Sequence, residues 1–392
     1  MSVLFLTATG HPEANLNSVW HLFSKKTQIN RIVVLTTDFT VANKQATYLL
    51  ALLPSLFQVT VEALHLPDGI EEKKVDQIKQ IVMQWLALNQ PESVLFNVTG
   101  GTKLISIALD HVAQMSSRYE CFYQSRDNHI VWYTRPVNHI YKLDPPDDIA
   151  MRLKSRGFNI TKPDTDLLKL PIEQLQYALK MYDFLMENFS KAQRLTTLIN
   201  ALASNVDHNE QSLKQAIKPD KNYSDLKDWL GVLAGEGSTF FSHDEAQGSL
   251  SWTSQDAADF MKGTWFEVLV GYLVYRSVSE VVSTVHVNFE FEKNGVKNET
   301  DVAFIVGSHL HFLECKTVKW KDKTAGPNQA LYKFNTISQV AGLNQRISLV
   351  TLYEISSDAL QRAKEMGIQV VQGKDILNLK DYLNTEPAGV VQ

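Results

Sequence analysis

Across 392 residues the chain has only two cysteines, Cys121 and Cys315. That scarcity excludes a disulfide framework and a CxxC zinc site, and it fits a reducing, cytoplasmic setting. Long apolar runs are also missing: nothing approaches the ~18 residues a membrane span needs, so no membrane partner is expected. The opening stretch, Met1 to Thr9, is apolar but short, and it lacks a basic n-region and a cleavage site. It reads as a buried strand, not a signal peptide. No excess of one charge is present either, with 38 Lys and Arg against 43 Asp and Glu, a net charge of −5. Such a balance does not advertise nucleic-acid binding, so any basic surface has to be local. There is no internal repeat and no low-complexity tract.

What is present is the composition of a globular protein, 44% hydrophobic and 21% charged. The length suits two or three domains. Residues 1–145 alternate strand and helix. Val3-Leu6, Ile32-Thr36, Val59-Leu64 and Val94-Val98 are short apolar runs of the kind buried in parallel sheets. Helical patterns fall at Leu16-Phe23, Val41-Leu53, Glu71-Leu88 and Leu104-Met115, and an added hairpin is expected around Asp127-Asn128. This rhythm predicts a doubly wound, Rossmann-like α/β sheet with right-handed crossovers. Ligands of such sheets bind beyond the carboxyl ends of the strands. Two loops occupy that edge: Thr7 to Asn15, with Thr9, His11 and Asn15 as polar candidates, and Thr99-Gly100-Gly101-Thr102-Lys103. The second runs from strand straight into helix, so its amides and helix N-terminus favour an anion. It is neither a Walker A loop nor GxGxxG.

After Asp144-Pro145-Pro146, residues 146–255 read as a helical connector, with helices at Ile172-Leu185, Ala192-Leu202 and Leu226-Leu233. A small hairpin over Ser238-Ser242 and Ser249-Thr253, beyond Gly235-Glu236-Gly237, leaves a winged helix open, and Asp207 to Tyr223 reads as a polar surface segment. Residues 256–392 predict a second α/β domain, a three-layer sandwich with a mixed sheet. It begins with a helix from Asp256 to Arg276, followed by strands Ser283-Phe291, Thr300-Val306 and Leu310-Lys316. Helix Gln329-Val340, strand Ile347-Tyr353, helix Ser357-Met366 and strand Ile368-Val371 complete it.

The hairpin carries the chemistry. With Gly307-Ser308 as a two-residue turn, Asp301 falls opposite Glu314 and Glu299 opposite Lys316. Opposed carboxylates repel across a ladder, and a cation between them removes the conflict. Oxygen ligands suit Mg²⁺ or Mn²⁺. Glu267 is the lone acid in the otherwise apolar helical run Trp265 to Val274, and a buried carboxylate needs a partner. Glu267, Asp301 and Glu314 are therefore candidate metal ligands and, with Lys316, the candidate catalytic set. Glu299 is an alternative ligand, Tyr332 and Lys333 are weaker candidates for touching a substrate strand, and His309 and His311 fall on the other face as structural residues. From Glu314 to Arg346 six basic residues (Lys316, Lys319, Lys321, Lys323, Lys333, Arg346) stand against two acidic ones (Glu314, Asp322). That bias suits a polyanionic substrate.

Asp301 followed by Glu314-Cys315-Lys316 resembles the PD-(D/E)xK core of restriction-endonuclease-like nucleases, and strand–TGGTK–helix resembles the signature of CARF domains. The order of the two in one chain is similar to the CRISPR ancillary nucleases called Card or Can nucleases. The resemblance implies an N-terminal sensor of cyclic oligoadenylates, cyclic tetra-adenylate being the commonest, lined by Thr99 to Lys103 and the first-strand loop. It implies a homodimer about a two-fold axis. It also implies a divalent-metal-dependent endonuclease acting on single-stranded RNA or DNA in type III CRISPR antiviral defence. The Arg–His spacing of the HEPN ribonucleases that other sensors of this kind carry is missing. The alternatives are a ligand-responsive DNA-binding regulator with a non-catalytic C-terminal domain, and a sensor that cleaves its own ligand with help from His11 or Lys103.

Overall fold

The computed structural model describes residues 2–67, 74–125, 129–134, 139–143, 148–163, 165–206, 210–217, 221–235, 238–280, 282, 284–307, 309–320, 325–341 and 345–383. Glu71, Asp127-Asn128, Asp144-Pro145-Pro146, Asp207, Glu236-Gly237, Ser283, Ser308 and Lys321 to Lys323 lie outside the described residues. The chain forms two compact units, one of Met1–Thr161 with Phe291–Lys297, the other of Lys162–Glu290 with Asn298–Gln392.

In chain order the first unit runs β1 (Ser2–Thr7), α1 (Glu13–Ser24), β2 (Arg31–Thr37), α2 (Asp38–Ala42), α3 (Gln45–Phe57), β3 (Thr60–Leu66) and α4 (Val75–Asn89). It continues with β4 (Ser93–Asn97), α5 (Lys103–Ala113), β5 (Tyr119–Gln124), β6 (His129–Trp132), β7 (His139–Lys142) and α6 (Ile149–Lys154), and β8 (Asn159–Lys162) follows. The sheet order is β3-β2-β1-β4-β5-β6-β7. Its first five strands are parallel and the last two antiparallel. Apolar strands are required because both faces are covered, one core packing Leu4, Leu6 and Ile32 and the other Val3, Phe5 and Val33. Two features depart from expectation. The helix expected over Val41-Leu53 is split at Lys44, which takes a left-handed φ of 57°. Strand β7 went unread because all four of its residues are exposed, so no apolar alternation marks it.

The second unit begins with α7 (Ile172–Glu187), α8 (Phe189–Ala203), β9 (Lys214–Ala216), α9 (Lys221–Leu233), β10 (Phe241–Asp244), β11 (Ser249–Trp252) and α10 (Gln255–Asp259). Strands β10-β11-β9 form a small antiparallel sheet, so part of the stretch read as a polar surface segment is strand β9 and the start of α9. After a π turn over Phe260–Thr264 come α11 (Trp265–Val278), β12 (Val285–Lys293), β13 (Val296–Val306) and β14 (His309–Lys316). The unit closes with α12 (Ala325–Ala341), β15 (Gln345–Thr351), α13 (Ser357–Glu365), β16 (Ile368–Gln372) and α14 (Leu379–Leu383). The mixed sheet has the order β16-β15-β14-β13-β12-β8, with β14, β15 and β16 parallel and β13 antiparallel to β14. One core joins α7, α8 and α9 through α11 to Val302, Leu313 and Val350. The middle helices are thus packed into the body of this unit.

Candidate ligand pocket and candidate active site

At the carboxyl edge of the first sheet, the TGGTK loop is pressed against β1. A Cβ on Gly101, whose φ is 85°, would lie 2.5 Å from Thr7 Cγ2, and one on Gly100 would lie 3.0 Å from the Thr7 carbonyl oxygen. Both glycines are demanded by that approach. Thr99 Oγ1 accepts from the Gln124 backbone N–H at 2.8 Å, and its own N–H donates to Asn97 Oδ1. Asn15 is fully buried. It donates from Nδ2 to the Thr7 carbonyl and accepts from Asn97. Thr99, Gly100 and Asn15 therefore hold the loops in place, while Thr102 caps α5 by accepting from the Ile105 N–H.

Of the expected set, a pocket of about 190 Å³ gathers Thr9, Gly101 and Thr102. His11 and Lys103 are exposed and do not line it. Five residues not singled out from the sequence complete the pocket: Thr37, Phe39, Thr40, Gln45 and Ile105. Thr37 and Thr40 form a reciprocal capping box at the start of α2. A Thr-x-x-Thr cap at the carboxyl end of a parallel strand was the available signal. Buried Thr7 Oγ1 and Gln45 Oε1 find no hydrogen-bond partner among the described residues, which leaves polar capacity for a ligand.

In the second unit, β13 pairs with β14 from Val302–Leu313 to Val306–His309. The same register carried one step further sets Asp301 across from Glu314. There the ladder changes character: Asp301 Oδ2 accepts the Cys315 backbone N–H at 2.6 Å. Lys316 Nζ lies 2.6 Å from Glu314 Oε1 and 3.4 Å from Asp301 Oδ2, so one ammonium holds both carboxylates. Asp301 and Glu314 are both buried. Burial and the Glu314 charge lift Asp301 above the ordinary carboxylate range, against the pull of Lys316 and the Cys315 N–H. For Lys316, burial alone would favour the neutral amine, but the adjacent Asp301 and Glu314 outweigh it and raise its pKa.

Glu267 stands in the first turn of α11, immediately after the π turn. π insertions within helices often mark functional positions. Burial, then the charge of Asp301, pushes Glu267 well above its usual value, partly offset by Lys316. Its Oε2 is buried and has no partner among the described residues. Asn288, left-handed at φ 56° inside β12, hydrogen-bonds Glu267. Sequence reasoning missed Asn288, although an Asn at the centre of an alternating strand is a bulge signal. Thr317 ties the end of β14 to the π turn by donating to the Lys262 carbonyl at 3.4 Å. Glu299 is exposed and adds negative field to Glu267 and Asp301. Tyr332 and Lys333 are exposed, the tyrosine engaged with Arg362. His311 is buried and stacks on Phe304 at 4.6 Å.

No three His, Cys, Asp or Glu side chains among the described residues gather closely enough to hold a metal ion unaided. Mg²⁺ requires less, taking one or two carboxylates together with water and substrate oxygens. The donor set fits on that basis: Asp301 and Glu267, both held above the ordinary carboxylate range, and the orphaned Glu267 Oε2 are sites where a cation relieves a cost.

Residues 254–389 match the family described as Card1-like, endonuclease domain, and residues 14–144 match the Card1 CARF domain. The chain carries a Card1 CARF domain followed by a Card1-like endonuclease domain. Its fold is similar to that of protein VC1899 from Vibrio cholerae, with a TM-score of 0.80 at 20% identity over 97% of both chains. It is also similar to Can2 from Sulfobacillus thermosulfidooxidans in complex with cyclic tetra-adenylate, with a TM-score of 0.74 at 18% identity over 99% of this chain and 100% of that one. A type III CRISPR defence DNA nuclease activated by cyclic oligoadenylate matches with a TM-score of 0.53 at 11% identity, over 100% of this chain and 53% of that one. A search of curated proteins finds no match. Among the described residues, no helix of this Card1-like chain is long and apolar enough to cross a membrane.

Proposed function

We propose that this chain is a cyclic-oligoadenylate-activated endonuclease that cuts single-stranded RNA, DNA or both with the help of a divalent cation, in type III CRISPR defence. The observation that carries the reading is the single Lys316 ammonium shared by two buried, mutually repelling carboxylates at the end of β14. A scaffold gains nothing from that arrangement, because buried charge is costly unless it is used.

Asp301 and Glu314, with Glu267, which feels the charge of Asp301, are the residues that would hold Mg²⁺ or Mn²⁺. Such an ion, when bound, supplies a Lewis acid for the phosphodiester and lowers the pKa of an attacking water. Lys316 places a fixed positive charge where the phosphorane-like transition state gains negative charge. The Cys315 N–H and Lys316 together fix the orientation of Asp301, so the site is organised before substrate arrives.

On the sensor side, the pocket of about 190 Å³ falls short of the ~300–1,000 Å³ typical of sites for drug-sized ligands. A ring of four nucleotides therefore spans two copies of the chain across a two-fold axis, which makes the active species a homodimer. Can2 is in complex with cyclic tetra-adenylate, and that ring is the expected activator here.

The alternative, a ligand-responsive DNA-binding regulator, draws on the helices and hairpin of the middle segment. Against it, Arg194 and Lys227 are paired with Asp225 and Glu245, which lowers the positive field those two cations offer duplex DNA.

The test is incubation with labelled single-stranded RNA and DNA in Mn²⁺ or Mg²⁺, with and without cyclic tetra-adenylate, and with EDTA as control. Cleavage that needs both ring and metal is expected. Intact nucleic acid under every condition, with the ring still bound, overturns the reading.

A further inference from the structure

A second cavity in the nuclease unit has no part in the chemistry above. It measures about 450 Å³ and lies beyond the carboxyl ends of β14, β15 and β16, lined by Lys319 and Trp320 after the first, Tyr353 and Glu354 after the second, and Gln372 to Asp375 at the third. The Leu352 N–H donates to the Lys316 carbonyl at 2.8 Å, and Lys316 is paired in register with Thr351. Tyr353 is thus two residues past the partner of Lys316, about 7 Å at the rise of a strand. The cavity adjoins the candidate active site.

Its walls are fixed aromatic surfaces. Tyr353 is anchored from α8, its hydroxyl bonded to Thr197 Oγ1 and to the Gln193 carbonyl, both at 2.6 Å. Trp320 packs against Gly326, where a Cβ would come within 2.6 Å of the indole ring. The indole Nε1 is buried and has no partner among the described residues. At the rim, Lys319 and Lys374 are exposed beside Glu354 and Asp375. Gln372 spends its carboxamide oxygen on the Ile355 N–H, so its amide faces other partners only as a donor.

This chemistry selects among the parts of a nucleic acid. With Lys319 and Lys374 set against Glu354 and Asp375 the lining has no net charge to draw a phosphate in, and phosphate gains nothing from the flat rings. A nucleobase gains stacking from the aromatic faces and finds a donor in the Gln372 amide and acceptors in the two carboxylates. The lysines at the rim suit the backbone on either side. We infer that this cavity receives one unpaired base of the substrate strand, flanking the scissile phosphate, and that Trp320 and Tyr353 hold it. The inference rests on the nuclease reading and deepens it. A base in a duplex cannot enter such a cavity without leaving its stack, so the cavity itself imposes the preference for single strands.

The test is binding of a fluorescein-labelled single-stranded 12-mer to the full-length protein by anisotropy, with cyclic tetra-adenylate and Ca²⁺ present, while one abasic site is moved along the oligonucleotide. The wild-type protein is expected to lose roughly 5- to 150-fold in affinity, the worth of one stacked base, when the abasic site occupies one particular position. Trp320→Leu should bind the intact strand as weakly as the wild type binds that abasic strand, and should show no further loss with it; Trp320→Phe should restore part of the difference. Equal wild-type affinity for every abasic position, or no binding of the strand at all, overturns the inference whether or not the variants fold. A separate cleavage assay in Mn²⁺ tells the two readings apart: no cutting despite position-dependent binding sinks the nuclease and spares the base site.

Discussion

The two candidate sites of this protein sit at the same kind of address, the carboxyl end of strands in an α/β sheet, yet they are built on opposite electrostatic terms. The sensor pocket is neutral. Its threonines, asparagine and glycines are used to bring two loops together, and it offers hydroxyls and an amide to a ligand. The nuclease patch is charged and conflicted, with acids buried beside one another and a lysine between them. A neutral pocket is organised whether or not a ligand is present, and shape and hydrogen bonding decide what enters. A charged patch depends on its counter-ions, so it responds to metal and to pH.

The sharpest way to separate the two is to remove the shared cation. Lys316→Ala is expected to cut at least ~100-fold more slowly while binding cyclic tetra-adenylate as the wild type does; slow turnover assays and calorimetry report the two effects. The reciprocal change is Gly101→Ala, which forces a Cβ onto Thr7 in a left-handed backbone. A strain of ~1–3 kcal/mol should weaken ring binding about 10-fold or more and lower the melting temperature. If Gly101→Ala left ring affinity intact, the TGGTK loop would not be the sensor.

Smaller effects come from protonation. Burial holds Glu267 and Asp301 above ordinary carboxylate values. Without a cation, the folded chain then carries more protons than the unfolded one near neutrality, and stability falls as pH rises through that range. Mn²⁺ should therefore raise the melting temperature more at about pH 8 than at about pH 5.5, a difference that Asp301→Asn reduces. His311 works in the other direction. Burial, with Arg346 and His309 nearby, pushes its pKa down to about 3, against about 6.5 in an unfolded chain. Its contribution is complete above that higher value and is lost as pH falls towards 3. His311→Phe keeps a ring against Phe304 and should recover on the order of 2 kcal/mol at about pH 5 relative to neutral pH, measured by urea unfolding.

Much of this architecture could be read from the chain. Buried parallel strands write themselves as short apolar runs, as Val3-Leu6 and Ile32-Thr36 do, and the hairpin register followed from Gly307 and strand alternation. What escaped depends on contacts between distant residues. The break at Lys44 and the π turn before Glu267 leave helical periodicity nearly intact. Asn15 has the polarity of a ligand contact, but the fold spends both ends of its amide on Thr7 and Asn97. Trp320, Tyr353 and Lys374 meet only because three parallel strands end together, and nothing in their local sequence announces it.

The central claim is that occupancy of the neutral pocket governs cutting at the charged patch. Its most direct test is the rate of single-strand cleavage in Mn²⁺ as cyclic tetra-adenylate is titrated in. The account predicts almost no cutting without the ring and a rise that saturates at one ring per two chains. A rate that is the same at every ring concentration, zero included, contradicts it.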